Sequence, residues 1–283
     1  MSGADINPGR LRDVAEQLAA EAAAFVLRRR GEVFGDGGRP PASAAVRTKS
    51  TPTDPVTVVD TETERLLRNR IGELRPGERI LGEEEGGPQT CDDGELTWVL
   101  DPIDGTVNFL YGIEAYAVSV AVQRDGVSLA GAVADVAAGA VYSAAVGGGA
   151  RVRRAEVVTV LRCSGAEDLS TALIGTGFAY DPARRQRQGQ VVARLLPQVR
   201  DLRRIGSCAL DLCMVATGRL DGYYEDGVQR WDWAAGALIA AEAGARLRLP
   251  STPDGSGLVI AAAPGISAAF DAELRRCGAA EEA

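Results

Sequence analysis

Residues 98–109 read WVLDPIDGTVNF, with two aspartates, Asp101 and Asp104, three positions apart at the end of an apolar run, a proline between them and a glycine after them. Like charges that close repel, and such pairs are kept where something positive lies between them. Three further acidic motifs adjoin apolar or aromatic stretches: Asp54 and Asp60 in DPVTVVD, Glu83 and Glu84 in GEEEG, and Asp232 in WDWAAG. Acids at the ends of buried elements can converge on one cleft. Carboxylates are the ligands that Mg²⁺ prefers, and two-metal sites need bridging carboxylates. Pro102 would stiffen the turn so that Asp101 and Asp104 face the same ions. Gly105 lets backbone approach a ligand closely, and Thr106 offers a hydroxyl that can hold a water. Asp232, at the start of a helix, would sit beside N–H groups that suit a phosphate.

Each motif alone has a plainer reading. A D-G pair is usually a turn, Asp232 an N-cap, Glu83 to Glu85 a solvated acidic loop, and Thr57 and Thr61 strand and cap residues. The metal reading rests on their joint occurrence. Two other phosphatase signatures fail. The haloacid-dehalogenase pattern DxDGT spaces its acids two apart, against three here. CMVATGR, Cys213 to Arg219, matches C-x5-R formally, but its apolar middle falls inside an expected helix, where no backbone cradle for phosphate can form. Cys213 reads as a small core residue.

The chain has 283 residues and no histidine, which excludes Ser–His–Asp hydrolysis, phosphohistidine chemistry, HExxH zinc sites and any histidine base. Catalysis must run on carboxylates, hydroxyls, thiols, lysine or hard metals. The net charge of −8 gives no basic face for nucleic acid, so an anionic substrate would need metal ions or a local basic patch. Five scattered cysteines without a CxxC pair read as reduced thiols. With no signal-peptide pattern and no apolar stretch fit to span a bilayer, a cytoplasmic location is expected.

The elements that must position these residues follow from periodicity. Residues 8–30 read as a long amphipathic helix, and a glycine- and proline-rich segment, expected to be mobile, follows over residues 35–54. TETERLLRNRIGEL reads as a helix opened by a capping box of Thr61 and Glu64. ERILG and TWVL, then YAVSVAVQ, VSLAGAVADV and GAVYSAAVG, read as strands, the last three antiparallel. Beyond GGGARVRR, strands and helices alternate: TALIGTGFAY, a helix over 183–200, GSCALDLCMVATG as a helix capped by Ser207, DGYYE, a helix from Asp232, LVIAAAP and a final helix. The chain is expected to be an α/β protein whose halves, residues 1–150 (α+β) and 151–283 (α/β), join near residue 150.

DPVTVVD, GEE, WVLDPIDGTVNF and WDWAAG, in this order and spacing, resemble the inositol monophosphatase family of Mg²⁺-dependent, lithium-sensitive phosphatases, most closely its actinobacterial branch. The resemblance runs from KSTPTDPVTVVD to the end of the chain. It implies an α-β-α-β-α sandwich, usually in a homodimer, acting on inositol phosphate. It implies that Glu83, Asp101 and the Ile103 carbonyl bind a first Mg²⁺, that Asp101, Asp104 and Asp232 bind a second, and that a third, looser ion leans on Glu83. Asp60 would orient Thr106, and Thr106 with Glu83 would position the attacking water. Gly105 and Thr106 would hold phosphate through backbone N–H groups. Glu225, Ser207, Cys208 and Asp232 would line the substrate region, and Lys49 would lie on the loop over the metals. The reaction implied is direct in-line hydrolysis without a covalent enzyme intermediate. Cys208, Gln229, Arg230 and Trp233 depart from the family pattern; none is an implied side-chain metal ligand.

Overall fold

The structure is a computed structural model that describes residues 6–35, 46–48, 55–88, 94–252 and 254–279. Helix α1 (Pro8–Phe34) is opened by Asn7, whose side chain accepts from the Gly9 and Arg10 N–H groups, with proline at the first helical position. It closes at Gly35, whose φ of 63° lies in the region glycine tolerates best. Short strands β1 (Val46–Thr48) and β2 (Pro55–Thr57) pair and lead into α2 (Val58–Leu74). The expected cap of α2 at Thr61 and Glu64 is corrected: the helix starts earlier, and Thr57 caps it in a reciprocal box with Asp60. Glu64 instead lies buried inside the helix and accepts from the Glu84 and Glu85 N–H groups, which fixes the GEEEG turn.

Strands β3 (Arg79–Gly82), β4 (Leu96–Asp104), β5 (Ala117–Arg124), β6 (Val127–Asp135), β7 (Ala140–Ala145), β8 (Ala150–Arg154) and β9 (Val157–Val160) form one seven-stranded sheet in sequence order. All neighbours are antiparallel except β3 and β4. This sheet continues past residue 150 to Val160, because β9 pairs with β8. A short helix α3 (Thr106–Tyr111), not expected from the sequence, follows β4 directly.

Strand β10 (Leu173–Thr176), helix α4 (Pro182–Leu195), strand β11 (Asp201–Arg203), helix α5 (Cys208–Ala216), strand β12 (Gly222–Val228), helix α6 (Arg230–Glu242), strands β13 (Arg246–Arg248) and β14 (Gly257–Ala262), and helix α7 (Ser267–Cys277) complete the chain. The second sheet is mixed, in the order β11-β10-β12-β14-β13. Strand β10 is shorter than expected and α4 ends at Leu195 rather than near residue 200. Strands β11 and β13, three residues each, escaped periodicity because so short a run carries no alternation.

Helices α1 and α2 cover one face of the first sheet, α5 and α6 fill the space between the sheets, and α4 and α7 cover the far face of the second. This is the α-β-α-β-α sandwich implied by the resemblance. The central layer is packed through small residues. Ala234, Ala235 and Ala237 of α6 are buried against the first sheet, and Ser128 and Ser119 donate to the Ala234 and Trp231 carbonyls. A Cβ on Gly131 would come within 3.0 Å of Ala235 Cα and Cβ. Close approach of backbone to backbone is what seats the first turn of α6, and with it Asp232.

Gly131→Val should therefore push α6 off the sheet. Overpacking of this kind costs about 1–3 kcal/mol, readable as a lower urea midpoint, and a midpoint equal to wild type would mean the layers have slack there.

Candidate active site

Strand β4 delivers Asp101 and Asp104 through a β-bulge. Asp101 stands opposite Ser119 and Asp104 opposite Ala117, so three steps on β4 match two on β5. In a regular strand, residues three apart point to opposite faces. The extra residue turns Asp104 to the face that Asp101 already occupies, between the sheets. The segment expected to be a turn is therefore the irregular end of a strand. Pro102 sits in the irregular stretch, where its missing N–H interrupts no regular ladder bond.

At the mouth of this bulge, β12 and the first turn of α6 complete a cleft of about 400 Å³. Glu83, Asp101, Ile103, Asp104, Gly105, Thr106, Cys208, Glu225 and Asp232 all line it. Asp60 stands behind it, fully buried, 3.1 Å from Thr106 Oγ1. Ser207 does not line the cleft; it is buried, caps α5 and donates to Asp104 Oδ2 at 2.6 Å. The Ala209 N–H donates to the same oxygen at 2.6 Å. Asp104 is thus also a clamp between the end of β4 and the start of α5, two functions in one side chain. Asp232 is the third residue of α6, not its cap, and its Oδ2 accepts from the Gln229 N–H at 2.6 Å. Lys49 lies outside the described residues.

Burial raises the pKa of Asp101 and Asp232 well above the usual carboxylate range; the charges of Glu83, Asp104 and Asp232 add to it at Asp101, and those of Asp104, Glu83 and Glu225 add to it at Asp232, against the Gln229 hydrogen bond. Burial likewise pushes Asp104 up to about 7 against the pull of its Ser207 and Ala209 hydrogen bonds. Asp60 is pushed up to about 7 by burial, opposed by Thr57, whose hydroxyl and N–H both donate to its Oδ2. Thr106 Oγ1 has the Asp60 carboxylate at 3.1 Å and the Ile103 carbonyl at 3.0 Å, and its one proton serves either.

The donor set is hard oxygen throughout: four carboxylates and the Ile103 carbonyl, with no imidazole in the chain. That chemistry fits Mg²⁺. As the side chains stand, no three acidic or cysteine side chains among the described residues form an array able to hold an ion. One oxygen each of Asp101, Asp104 and Asp232 is taken by a neighbouring N–H or hydroxyl.

A profile of the inositol monophosphatase family matches residues 8–280. The chain belongs to that family. It is 64% identical over 282 residues, 98% of this chain and 97% of the relative, to the inositol-1-monophosphatase of Mycobacterium leprae. The structure of Mycobacterium tuberculosis SuhB superposes with a TM-score of 0.83 at 57% identity, covering 96% of this chain and 98% of that one. A more distant relative, 37% identical over 218 residues (77% of this chain, 79% of the relative), is the Nus factor SuhB of Pasteurella multocida. The rival cysteine reading ends here: Cys213 is buried inside α5 and burial pushes its thiol well up, away from the reactive thiolate.

Several residues in or beside the cleft carried no signal in the sequence. Arg184 and Arg204 line the cleft from α4 and from the loop before α5. Tyr223 donates to Glu225 Oε2 at 2.7 Å. Gly177 gives the Glu225 carboxylate its room, since a Cβ there would lie 1.9 Å from Oε2. Asp211 is buried in α5 with neither carboxyl oxygen hydrogen-bonded among the described residues. Burial holds its pKa well above the ordinary value, Glu225 and Asp104 add to this, and Arg204 opposes it.

Folded Asp211 keeps a proton that the unfolded chain releases above about pH 4. Its contribution to stability is therefore lost as pH rises from that value toward its raised folded pKa. Asp211→Asn cannot ionise, so its advantage over wild type should grow as pH rises above about 4. Urea denaturation at pH 5 and pH 8 measures the difference, and an unchanged gap between the two proteins would mean Asp211 is charged in the fold.

Proposed function

We propose that this chain hydrolyses myo-inositol monophosphate to myo-inositol and phosphate, with two or three Mg²⁺ ions held by Glu83, Asp101, Asp104, Asp232 and the Ile103 carbonyl. The observation that carries the reading is the bulge at the end of β4, which turns Asp101 and Asp104 to one side, opposite Asp232 and Glu83. The name of the Mycobacterium leprae relative supports the substrate.

When bound, Mg²⁺ supplies positive charge to the phosphoryl oxygens and lowers the pKa of water. The chain's own residues orient the reactants. Asp60 accepts the Thr106 proton, which leaves a lone pair of Thr106 Oγ1 for a water in the cleft. That water, also held by Glu83, is aimed at phosphorus; the P–O bond to the inositol oxygen breaks as the new one forms, and the alcohol leaves with a proton that the attacking water gives up. Gly105, at φ 96°, and Thr106 open α3 at the cleft, where first-turn N–H groups lack helical partners and suit a phosphate. Glu225, fixed by Tyr223, receives inositol hydroxyls beside Cys208. In this reading residues 1–150 carry most metal ligands, and residues 151–283 carry Asp232 and the substrate contacts. The enzyme works in the cytoplasm, as a homodimer, and is inhibited by lithium.

The Pasteurella multocida relative favours a second reading, a binding protein that retains the fold. Phosphate release from inositol 1-phosphate, fructose 1,6-bisphosphate and histidinol phosphate separates the readings. Rapid Mg²⁺-dependent release from inositol 1-phosphate, inhibited by millimolar lithium, is expected; no turnover on any of the three would favour the binding role. Asp104→Asn keeps an oxygen for Ser207 and Ala209, so it should fold, yet lose turnover by roughly a hundredfold or more. Activity within a few-fold of wild type at saturating Mg²⁺ would overturn the metal assignment. Because ligands that bind only the native state stabilise it by mass action, the melting temperature should climb with free Mg²⁺ in wild type, and less in Asp104→Asn.

A further inference from the structure

A second cavity, of about 620 Å³, lies on the other side of β12 from the catalytic cleft. Successive residues of a strand face opposite ways. Tyr223 belongs to the core between the sheets, whereas Tyr224 belongs to the outer core under α4 and α7 and lines this cavity. Arg184, Arg187 and Arg248 also line it, and Asp226 is the one acid of the lining among the described residues. That is a concentration of positive charge on a chain of net charge −8.

The arginines differ in how far they are engaged. Arg248 pairs with Asp271 at 2.6 Å, and Arg184 lies 3.7 Å from Asp226. Arg187 is exposed and makes no ion pair or hydrogen bond among the described residues. The Tyr224 hydroxyl is buried yet makes no hydrogen bond of proper geometry among the described residues, although Thr176 stands near it on the neighbouring strand. A buried polar group without a partner is uncommon and calls for one. Guanidinium forks and a phenol hydroxyl are the donors that bind phosphate, and the volume is that of a small-molecule site.

We propose that this cavity is an anion site for a phosphate-bearing small molecule, separate from the catalytic cleft, with Arg187 and the Tyr224 hydroxyl as its principal donors. Arg184 and Asp226 line both cavities, so the two sites share a wall. An anion held here competes with Asp226 for Arg184 and acts on substrate binding across that wall. The proposal does not depend on which phosphate ester the cleft hydrolyses.

Full-length protein is titrated with orthophosphate by calorimetry, with Mg²⁺ present and with Mg²⁺ removed by a chelator. Without Mg²⁺ the catalytic cleft is strongly acidic and repels phosphate, so phosphate bound under that condition reports the outer site. One site should persist. Arg187→Gln and Tyr224→Phe should each weaken it roughly tenfold or more, the range for a lost hydrogen bond to a charged group. Arg204→Gln, which alters only the cleft, should leave it unchanged. Arg187 is exposed and makes no ion pair or hydrogen bond among the described residues, and Tyr224→Phe keeps the ring that packs edge-on to Phe270, so both variants should stay folded. Absence of binding without Mg²⁺, equal affinity in wild type and both variants, or equal loss in Arg204→Gln would overturn the proposal.

Discussion

The cleft hangs on one extra residue. Because β4 takes three steps where β5 takes two, Asp101 and Asp104 emerge on the same side of the sheet. Leu100 and Ile103 flank them and stay on the other side, in the core under α1 and α2. Remove the bulge and one aspartate would exchange places with an apolar neighbour. All nine residues of the strand are buried, so such an exchange would put a charge into hydrocarbon. Burial on both faces thus enforces the register that the site needs.

Gathering acids this way works against stability. Each carboxylate raises the proton affinity of the next, and burial raises all of them. The fold meets the strain with donors placed on single oxygens: Ser207 and Ala209 on Asp104, Gln229 on Asp232, Ile103 on Asp101, Thr57 on Asp60. Four of these five donor residues belong to the first turns of helices or their caps, where N–H groups lack helical partners. The same bonds that steady the acids fix the starts of α2, α5 and α6 around the cleft.

Positioning across the molecule relies on small residues. Gly131 and the alanines of α6 bring the central layer onto the first sheet, and Gly236 lets α6 meet α5, where a Cβ would lie 2.9 Å from Leu212 Cβ. On β10, Gly175 leaves room for Asp211 and Gly177 just beyond it leaves room for Glu225. The side chains that do the chemistry are set by what their neighbours lack.

By itself, the sequence determined the class of fold, most helices and strands, the hard-oxygen character of the site and the family. Those properties reside in local periodicity, in residue types and in motif order. Tertiary structure alone decided the rest. The spacing of Asp101 and Asp104 looked like a turn because a bulge is defined by the partner strand, which a single segment does not reveal. The cap of α2 was placed at Thr61 because Thr-x-x-Glu fits a capping box; pairing of β2 with β1 and burial of Glu64 beneath the GEEEG turn moved it to Thr57. Arg184, Arg204, Tyr224 and Asp211 carry no motif, and their roles arise only where distant elements pack together, since electrostatics and burial are properties of neighbours in space rather than in sequence.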